Sequence, residues 1–184
     1  MNVTAVILSS RSIRKEIPGV QTLVHVSKFQ DAAGLLDQRI AAIRKVRTEW
    51  FFFLDDDDAL PDNYLQVLER CTSVTTPLAY TNELVNGALW RSGSYSQEAH
   101  LRNPLLVHHL AVCRTEAALR ACEVIPRGTF AVEPLLYSQI AKEGATWLDE
   151  VGYHWQRKST GLSYHPTLTR GIVRAMLWMQ GRIA

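Results

Sequence analysis

The sequence predicts a single α/β domain with a mixed, mostly parallel central sheet flanked by helices, and three observations predict it. Short aliphatic or aromatic runs, too continuous for exposed strands, alternate with stretches of helical spacing. The first half runs strand, helix, strand, acidic turn, helix, which is the order of a parallel α/β layout. A length of 184 residues suits one hydrophobic core.

Val3 to Leu8 is a β-branched and aliphatic run ending at Ser9, Ser10 and Arg11, the pattern of a buried strand that delivers a polar loop. Leu23 to Val26 is a second candidate strand. From Asp31, a suitable N-cap, the spacing turns helical: Ala32, Leu36, Ile40 and Ile43 recur at i, i+4, i+8 and i+11. Trp50 to Leu54 is too bulky and continuous for an exposed strand. Asp55 to Asp58 follow at once, and then a helix carrying Leu65, Leu68 and Cys71, with Pro61 suited to its first position. Ligands of parallel α/β sheets bind at the carboxyl ends of strands, where the four aspartates fall.

Thr72 to Arg102, rich in Ser, Thr, Asn and Gly, suggests a short strand opening at Tyr80 and a loop over Arg91 to His100. An apolar run from Leu105 to Cys113 leads to a helix over Thr115 to Cys122 and a turn at Pro126, Arg127 and Gly128. Glu133 to Glu143 reads as a helix closed by Gly144, and Trp147 to Trp155 as a strand.

Apolar residues make up 47% of the chain and charged residues 21%, which is ordinary for a globular protein and too hydrophobic for a disordered one. No apolar run approaches the roughly 20 residues of a membrane span. Val3 to Leu8 has neither the basic stretch before it nor the small-residue site after it that mark a signal peptide. Cys71, Cys113 and Cys122 lack the close pairing of a zinc or redox motif and read as structural thiols in a reducing, cytoplasmic compartment. Residues 151–184 hold Arg157, Lys158, Arg170, Arg174 and Arg182 and no acidic residue, so they carry +5 of a net charge of +2 and leave −3 on the rest. A basic tail of this kind suits contact with the phosphate of a nucleotide, a nucleic acid or a lipid surface.

Four adjacent carboxylates repel one another by about 1 kcal/mol per close pair in water, and by more in a cleft. A bound cation relieves this, and hard oxygen ligands suit magnesium, manganese or calcium. The plain alternative is a solvated acidic turn or a helix cap. The buried strand before the run weighs against it, because that strand puts the charges at the rim of a core.

The stretch Arg47 to Leu65, RTEWFFFLDDDDALPDNYL, resembles family-2 inverting glycosyltransferases of the GT-A (Rossmann-like) fold, in which a hydrophobic strand ends in Leu-Asp-x-Asp-Asp and a Pro-Asp-initiated helix follows. Phe130 to Ser163, FAVEPLLYSQIAKEGATWLDEVGYHWQRKSTGLS, resembles the same family's Glu-Asp motif, its Gly-terminated helix, and its strand with a Tyr-x-x-Arg-like tail. The resemblance implies one domain over 1–184, with a nucleotide-sugar and metal half over 1–71, an acceptor half over 72–168 and a C-terminal amphipathic helix over 169–184. It implies a Mn2+ or Mg2+ cofactor held by Asp57 and Asp55, with His154 as an added ligand and Asp58 as a neighbour. It implies a nucleoside-diphosphate sugar held by Ser9, Ser10, Arg11, Arg39, Asp55, Asp56 and Arg157, the last suited to the diphosphate through a bidentate guanidinium.

The chain departs from that pattern in three places. Where the family has Glu-Asp, with the Asp as catalytic base, this chain has Glu133-Pro134, so Glu133 becomes the candidate base. Its alternative role is to cap the helix that begins at Pro134, and Asp149 and Glu150 are fallback bases. Ile40 stands where the family's Arg-Asn pair has Asn after the arginine, here Arg39. Leu23 to Val26 leads into Ser27 and Lys28 instead of an aspartate, which leaves recognition of the nucleotide base unassigned. His108 and His109, in an apolar run, read as packed or hydrogen-bonded. His165, like His154, flanks Arg157 and Lys158.

The implied reaction is a single displacement at the anomeric carbon, in which a base takes the acceptor hydroxyl's proton and configuration inverts. Two alternatives stand beside it. One is a nucleotide-sugar binding module that kept the fold and lost the base. The other is a haloacid-dehalogenase-like phosphatase, whose motif wants Thr or Val where Ala59 stands. Thr169 to Ile183 predicts an amphipathic helix with Ile172, Met176, Met179 and Ile183 on one arc, and with Arg170, Arg174 and Arg182 and the intervening Trp178 on another side. The arginines are either solvated or a guide for a phosphate-rich acceptor, a nucleic acid or an anionic surface.

Overall fold

The computed structural model of the chain describes residues 1–9, 13–26, 32–125, 132–156, 177, 178 and 181. The strands are β1 (Val3–Ser9), β2 (Gln21–Val26), β3 (Trp50–Asp55), β4 (Leu78–Val85), β5 (Ala88–Trp90), β6 (Ala111–Arg114) and β7 (Thr146–Trp155). The helices are α1 (Ala32–Ile43), α2 (Tyr64–Thr72), α3 (Gln97–Arg102), α4 (Thr115–Val124) and α5 (Val132–Ile140), the last running into a 3-10 turn over Ala141–Glu143.

All seven strands form one sheet in the order β2-β1-β3-β6-β4-β5, with β7 also paired to β4. β1, β2, β3, β4 and β7 run one way, while β5 and β6 run against them. The sheet is therefore mixed and mostly parallel, as the sequence predicts. Both faces are covered, which is why the strands read as unbroken apolar runs. Along β3, Phe51 and Phe53 enter one core cluster with Ile40, Ile43, Leu135, Leu136 and Ile140, while Trp50, Phe52 and Leu54 enter the other with Val67, Leu68 and Cys71. This is strand alternation with helices on each side. The three cysteines are buried within these clusters.

Some boundaries differ from the sequence expectations for identifiable reasons. Pro61 does not open α2: Ala59 first exchanges backbone hydrogen bonds with His154 of β7, and the helix begins only after a turn in which Tyr64 N–H donates to the Pro61 carbonyl. The end of the expected 91–100 loop belongs to α3, whose N-cap Ser96 accepts from the Ala99 N–H. Within the apolar run before Cys113, only Ala111 onward pairs; Leu106 and Val107 are buried in the preceding loop. Gly144 closes α5 as expected, with φ 117°, a conformation that favours glycine. Asp31 and most of the 169–184 helix lie outside the described residues, apart from 177, 178 and 181. Trp178, assigned to the arginine side of that helix, packs half-buried against the first core cluster.

The carboxyl ends of β1, β3, β4 and β7 and the amino end of β6 meet along one edge of the sheet. Leu8 lies beside Asp55, and Glu83 beside Tyr153. A cavity of about 730 Å3 at the other edge, lined by Asn2, Glu49, Trp50, Leu65 and Glu69, is remote from these carboxylates.

Candidate active site

The acidic run leaves the buried end of β3 and turns back on itself, with Asp58 N–H donating to the Asp55 carbonyl at 3.3 Å. Asp58 is buried. Its Oδ1 accepts from the Gln156 N–H at 2.9 Å and its Oδ2 from the Tyr153 hydroxyl at 3.0 Å. That hydroxyl in turn accepts from the Asp55 N–H at 3.1 Å. Burial pushes the Asp58 pKa up, and these hydrogen bonds only partly oppose it. Lys15 Nζ donates to the carbonyls of Asp55, Asp56 and Asp58 at 3.3, 3.3 and 3.0 Å, bringing a cation under the turn. Ser9 Oγ donates to Asp56 Oδ2 at 2.8 Å.

Arg39, on α1, joins this turn to the second motif. Its side chain is 7% exposed, ion-paired with Glu133 at the start of α5, and 3.8 Å from Asp55 Oδ1. Its guanidinium also lies over the Phe53 ring at 4.7 Å. Burial works against the charge, but Glu133 and Asp55 outweigh it and hold the guanidinium's pKa above its ordinary value.

A third group converges from β4 and the loop before β6. Glu83, buried, accepts from His108 Nδ1 at 3.1 Å and from His109 Nδ1 at 2.6 Å. Burial would raise the Glu83 pKa, yet the two imidazoles overcome this and hold it at about 2. An ionised carboxylate only accepts, so both Nδ1 atoms carry protons. Burial and its neighbour His109 lower the His108 pKa; at His109 burial is outweighed by Glu83 and by Asp55, and the pKa is raised. The His109 ring stacks on Tyr153 at 4.4 Å, is edged by Trp155 at 4.9 Å, and points Nε2 at Asp55 Oδ2, 4.0 Å away.

The structure thus gathers Ser9, Arg39, Asp55, Asp56 and Glu133 at one edge of the sheet, with Asp57 exposed on the turn. Ser10, Arg11, Arg157 and His165 lie outside the described residues. His154 holds the turn through its backbone, and its side chain leaves the opposite face of β7 from Tyr153 and Trp155, which both touch His109. Asp149 is bound by Asn82 and Arg91, and Glu150 is bound by Arg70. Lys15 and Glu83 carry no local signal in the sequence, Tyr153 stands out there only as part of the Tyr-x-x-Arg-like tail, and His109 reads only as packed or hydrogen-bonded. The His-His doublet just before a strand was the available signal, but it carries no information that this strand pairs with β3.

Two sets of ligand atoms lie within 4.8 Å of one another among the described residues: Asp55, Asp58 and His109, and Glu83, His108 and His109. The first set fits a divalent cation by its donor chemistry, two carboxylates and one imidazole at the end of the acidic strand. It differs from the expected set in that Asp58 and His109 stand where Asp57 and His154 were expected.

No protein-family model matches the chain. No curated protein matches it in sequence. Solved structures do match in fold. The S. aureus TarS 1–349 structure aligns with 97% of this chain at a TM-score of 0.58 and 11% identity, and its complex with UDP-GlcNAc aligns with 97% at 0.61 and 12%. Mannosyl-3-phosphoglycerate synthase from Rubrobacter xylanophilus aligns with 98% at 0.52 and 14% identity. The chain spans 65% and 66% of the two TarS chains and 75% of the synthase. All are GT-A-type glycosyltransferases. At these identities the likeness establishes the fold, and with it the class of architecture in which the site lies. No helix among the described residues is long and apolar enough to cross a membrane.

Proposed function

We propose that the chain is a glycosyltransferase that moves a sugar from a nucleoside-diphosphate sugar to a hydroxyl acceptor, with inversion and with a divalent cation bound at the acidic turn. The observation that carries this reading is Arg39, which joins Asp55 of one motif stretch to Glu133 of the other. Two stretches far apart in sequence meet where GT-A folds bind their donors, at the carboxyl ends of parallel strands.

In this reading Ser9, at the end of β1, with Ser10 and Arg11 after it in the sequence, holds the nucleotide beside Asp55, because β1 and β3 are neighbours in register. Arg157 pairs with the diphosphate and keeps its growing charge bidentately bound. Arg39 fixes the position of the Glu133 carboxylate, which accepts the proton of the acceptor hydroxyl. Mn2+ or Mg2+, when bound, supplies Lewis-acid stabilisation to the leaving diphosphate. The haloacid-dehalogenase alternative is set aside by the GT-A fold. The binding-module alternative keeps one observation in its favour, since the Glu133 carboxylate is already engaged by Arg39.

TarS was crystallised with UDP-GlcNAc, so uridine donors come first in the test. A thermal-shift panel of nucleotide-sugars with and without manganese reads donor binding, because a ligand of the folded state raises its apparent stability. Release of nucleoside diphosphate from the same donors reads turnover. We expect a cation-dependent shift with at least one donor, and a fall in release of about 100-fold in Glu133→Gln with donor binding retained. Donor binding without release favours the binding module. Neither binding nor release overturns both readings. A reducing, cytoplasmic setting fits the three buried thiols.

A further inference from the structure

His109 makes different contacts at its two nitrogens. Nδ1 donates to Glu83 at 2.6 Å, and Nε2 faces Asp55 Oδ2 at 4.0 Å, beyond hydrogen-bond distance. The ring has little freedom between them. It lies flat on Tyr153, with an interplanar angle of 7°, against Trp155, with its side chain 11% exposed. Tyr153 is the same residue whose hydroxyl binds both the Asp55 N–H and the Asp58 carboxylate, so one side chain sets the position of all three donors. A carboxylate that accepts from one imidazole nitrogen while the other faces a metal is the usual support of a metal-bound histidine.

We propose that His109 is the nitrogen ligand of a divalent-cation site shared with Asp55 and Asp58, with Glu83 as the carboxylate that fixes its tautomer, so that the site prefers Mn2+ to Mg2+. Asp55 Oδ2 and His109 Nε2 lie 4.0 Å apart, a separation at which both would reach one divalent ion. Magnesium strongly favours all-oxygen sets, whereas an imidazole nitrogen suits later divalent metals. The competing set of Glu83, His108 and His109 is already satisfied internally, two N–H groups facing two carboxylate oxygens, and an ion there would have to displace both protons. The inference deepens the glycosyltransferase reading by naming a ligand of its cation, and it is tested without turnover.

The experiment is Mn2+ binding by calorimetry, together with pulsed electron paramagnetic resonance of the Mn2+ complex, which detects a directly bound nitrogen. The full chain and its His109→Gln, His108→Gln and Glu83→Gln variants are compared, with circular dichroism to check folding. The wild type should show nitrogen coupling and bind Mn2+ more tightly than Mg2+. His109→Gln should lose the coupling and narrow the Mn2+ to Mg2+ difference. Glu83→Gln should keep the coupling and weaken Mn2+ by about 10–100-fold. His108→Gln should keep both. Wild-type protein that binds no Mn2+, or binds it without nitrogen coupling, overturns the inference. So does loss of coupling in His108→Gln, which would move the ion to the Glu83 set. Turnover of a donor in chelator together with no Mn2+ binding would sink this inference and leave the transferase reading standing. Nitrogen-coupled Mn2+ with no donor bound would do the reverse.

Discussion

The ion pair between Arg39 and Glu133 makes an asymmetric prediction about stability. Arg39 is 7% exposed and Glu133 is 27% exposed, so the guanidinium depends more on its partner than the carboxylate does. Glu133→Gln leaves a buried cation with Asp55 at 3.8 Å and the face of Phe53. At an effective dielectric of about 20, that remaining pair is worth roughly 4 kcal/mol. Asp55 is 45% exposed, however, and solvent screening pulls the figure toward about 1 kcal/mol. Breaking a buried pair from one side costs about 3–5 kcal/mol, so with the residual help of Asp55 the expected loss is about 2–3 kcal/mol. Arg39→Met removes the charge that needs compensation and keeps most of the volume, and Glu133 can then hydrate. Its expected cost is about 1–2 kcal/mol. The double variant should fall short of the sum by about 1–2 kcal/mol, the coupling of a contacting pair. Urea unfolding at constant m-value measures all three, and for a chain of this size each kcal/mol is about 2–4 °C in Tm. Equal single losses with strict additivity would refute the reasoning, because Arg39 would then not depend on Glu133.

Three further outcomes are expected. A Cβ at Gly152 would lie 2.4 Å from both Leu110 Cδ2 and Thr81 Oγ1, so Gly152→Ala should cost about 1–3 kcal/mol by overpacking, and unchanged urea unfolding would show that β7 can shift. Tyr153→Phe removes the hydroxyl shared by Asp55 and buried Asp58 and should cost about 1.5–3 kcal/mol; a Tm within a degree of wild type would refute that role. Burial lowers the His100 pKa from 6.5 to about 4, packed as it is against Tyr95. The unfolded chain takes up this proton first, so the contribution is fully present above pH 6.5 and is lost as pH falls toward about 4. His100→Gln should flatten the stability slope in that window, and an identical slope would place the acid sensitivity elsewhere.

The fold class, the strands β1 and β3, the helices around Ile40 and Leu68 and the position of the acidic turn follow from local sequence. Local chemistry dictates these: Trp50 to Leu54 cannot face water, the spacing of Ile40 and Ile43 builds one apolar helix face, and charges after a buried strand must emerge at its end. Arg39 and Glu133 stand out in the sequence through the family resemblance, but their ion pair has no local signal. The same holds for the contacts of Lys15, Glu83, His109 and Tyr153. The Tyr-x-x-Arg-like tail and the His-His doublet mark two of these residues without indicating their contacts, and all four acquire those contacts from tertiary packing that no local pattern encodes. β6 runs antiparallel between β3 and β4, which sets His109 opposite Asp55, and β7 pairs with β4 across two register shifts, which brings Tyr153 beside Glu83 and under the acidic turn. Strand neighbours are chosen by the packing of the whole sheet, so the partners of the aspartates were decided only in the tertiary structure.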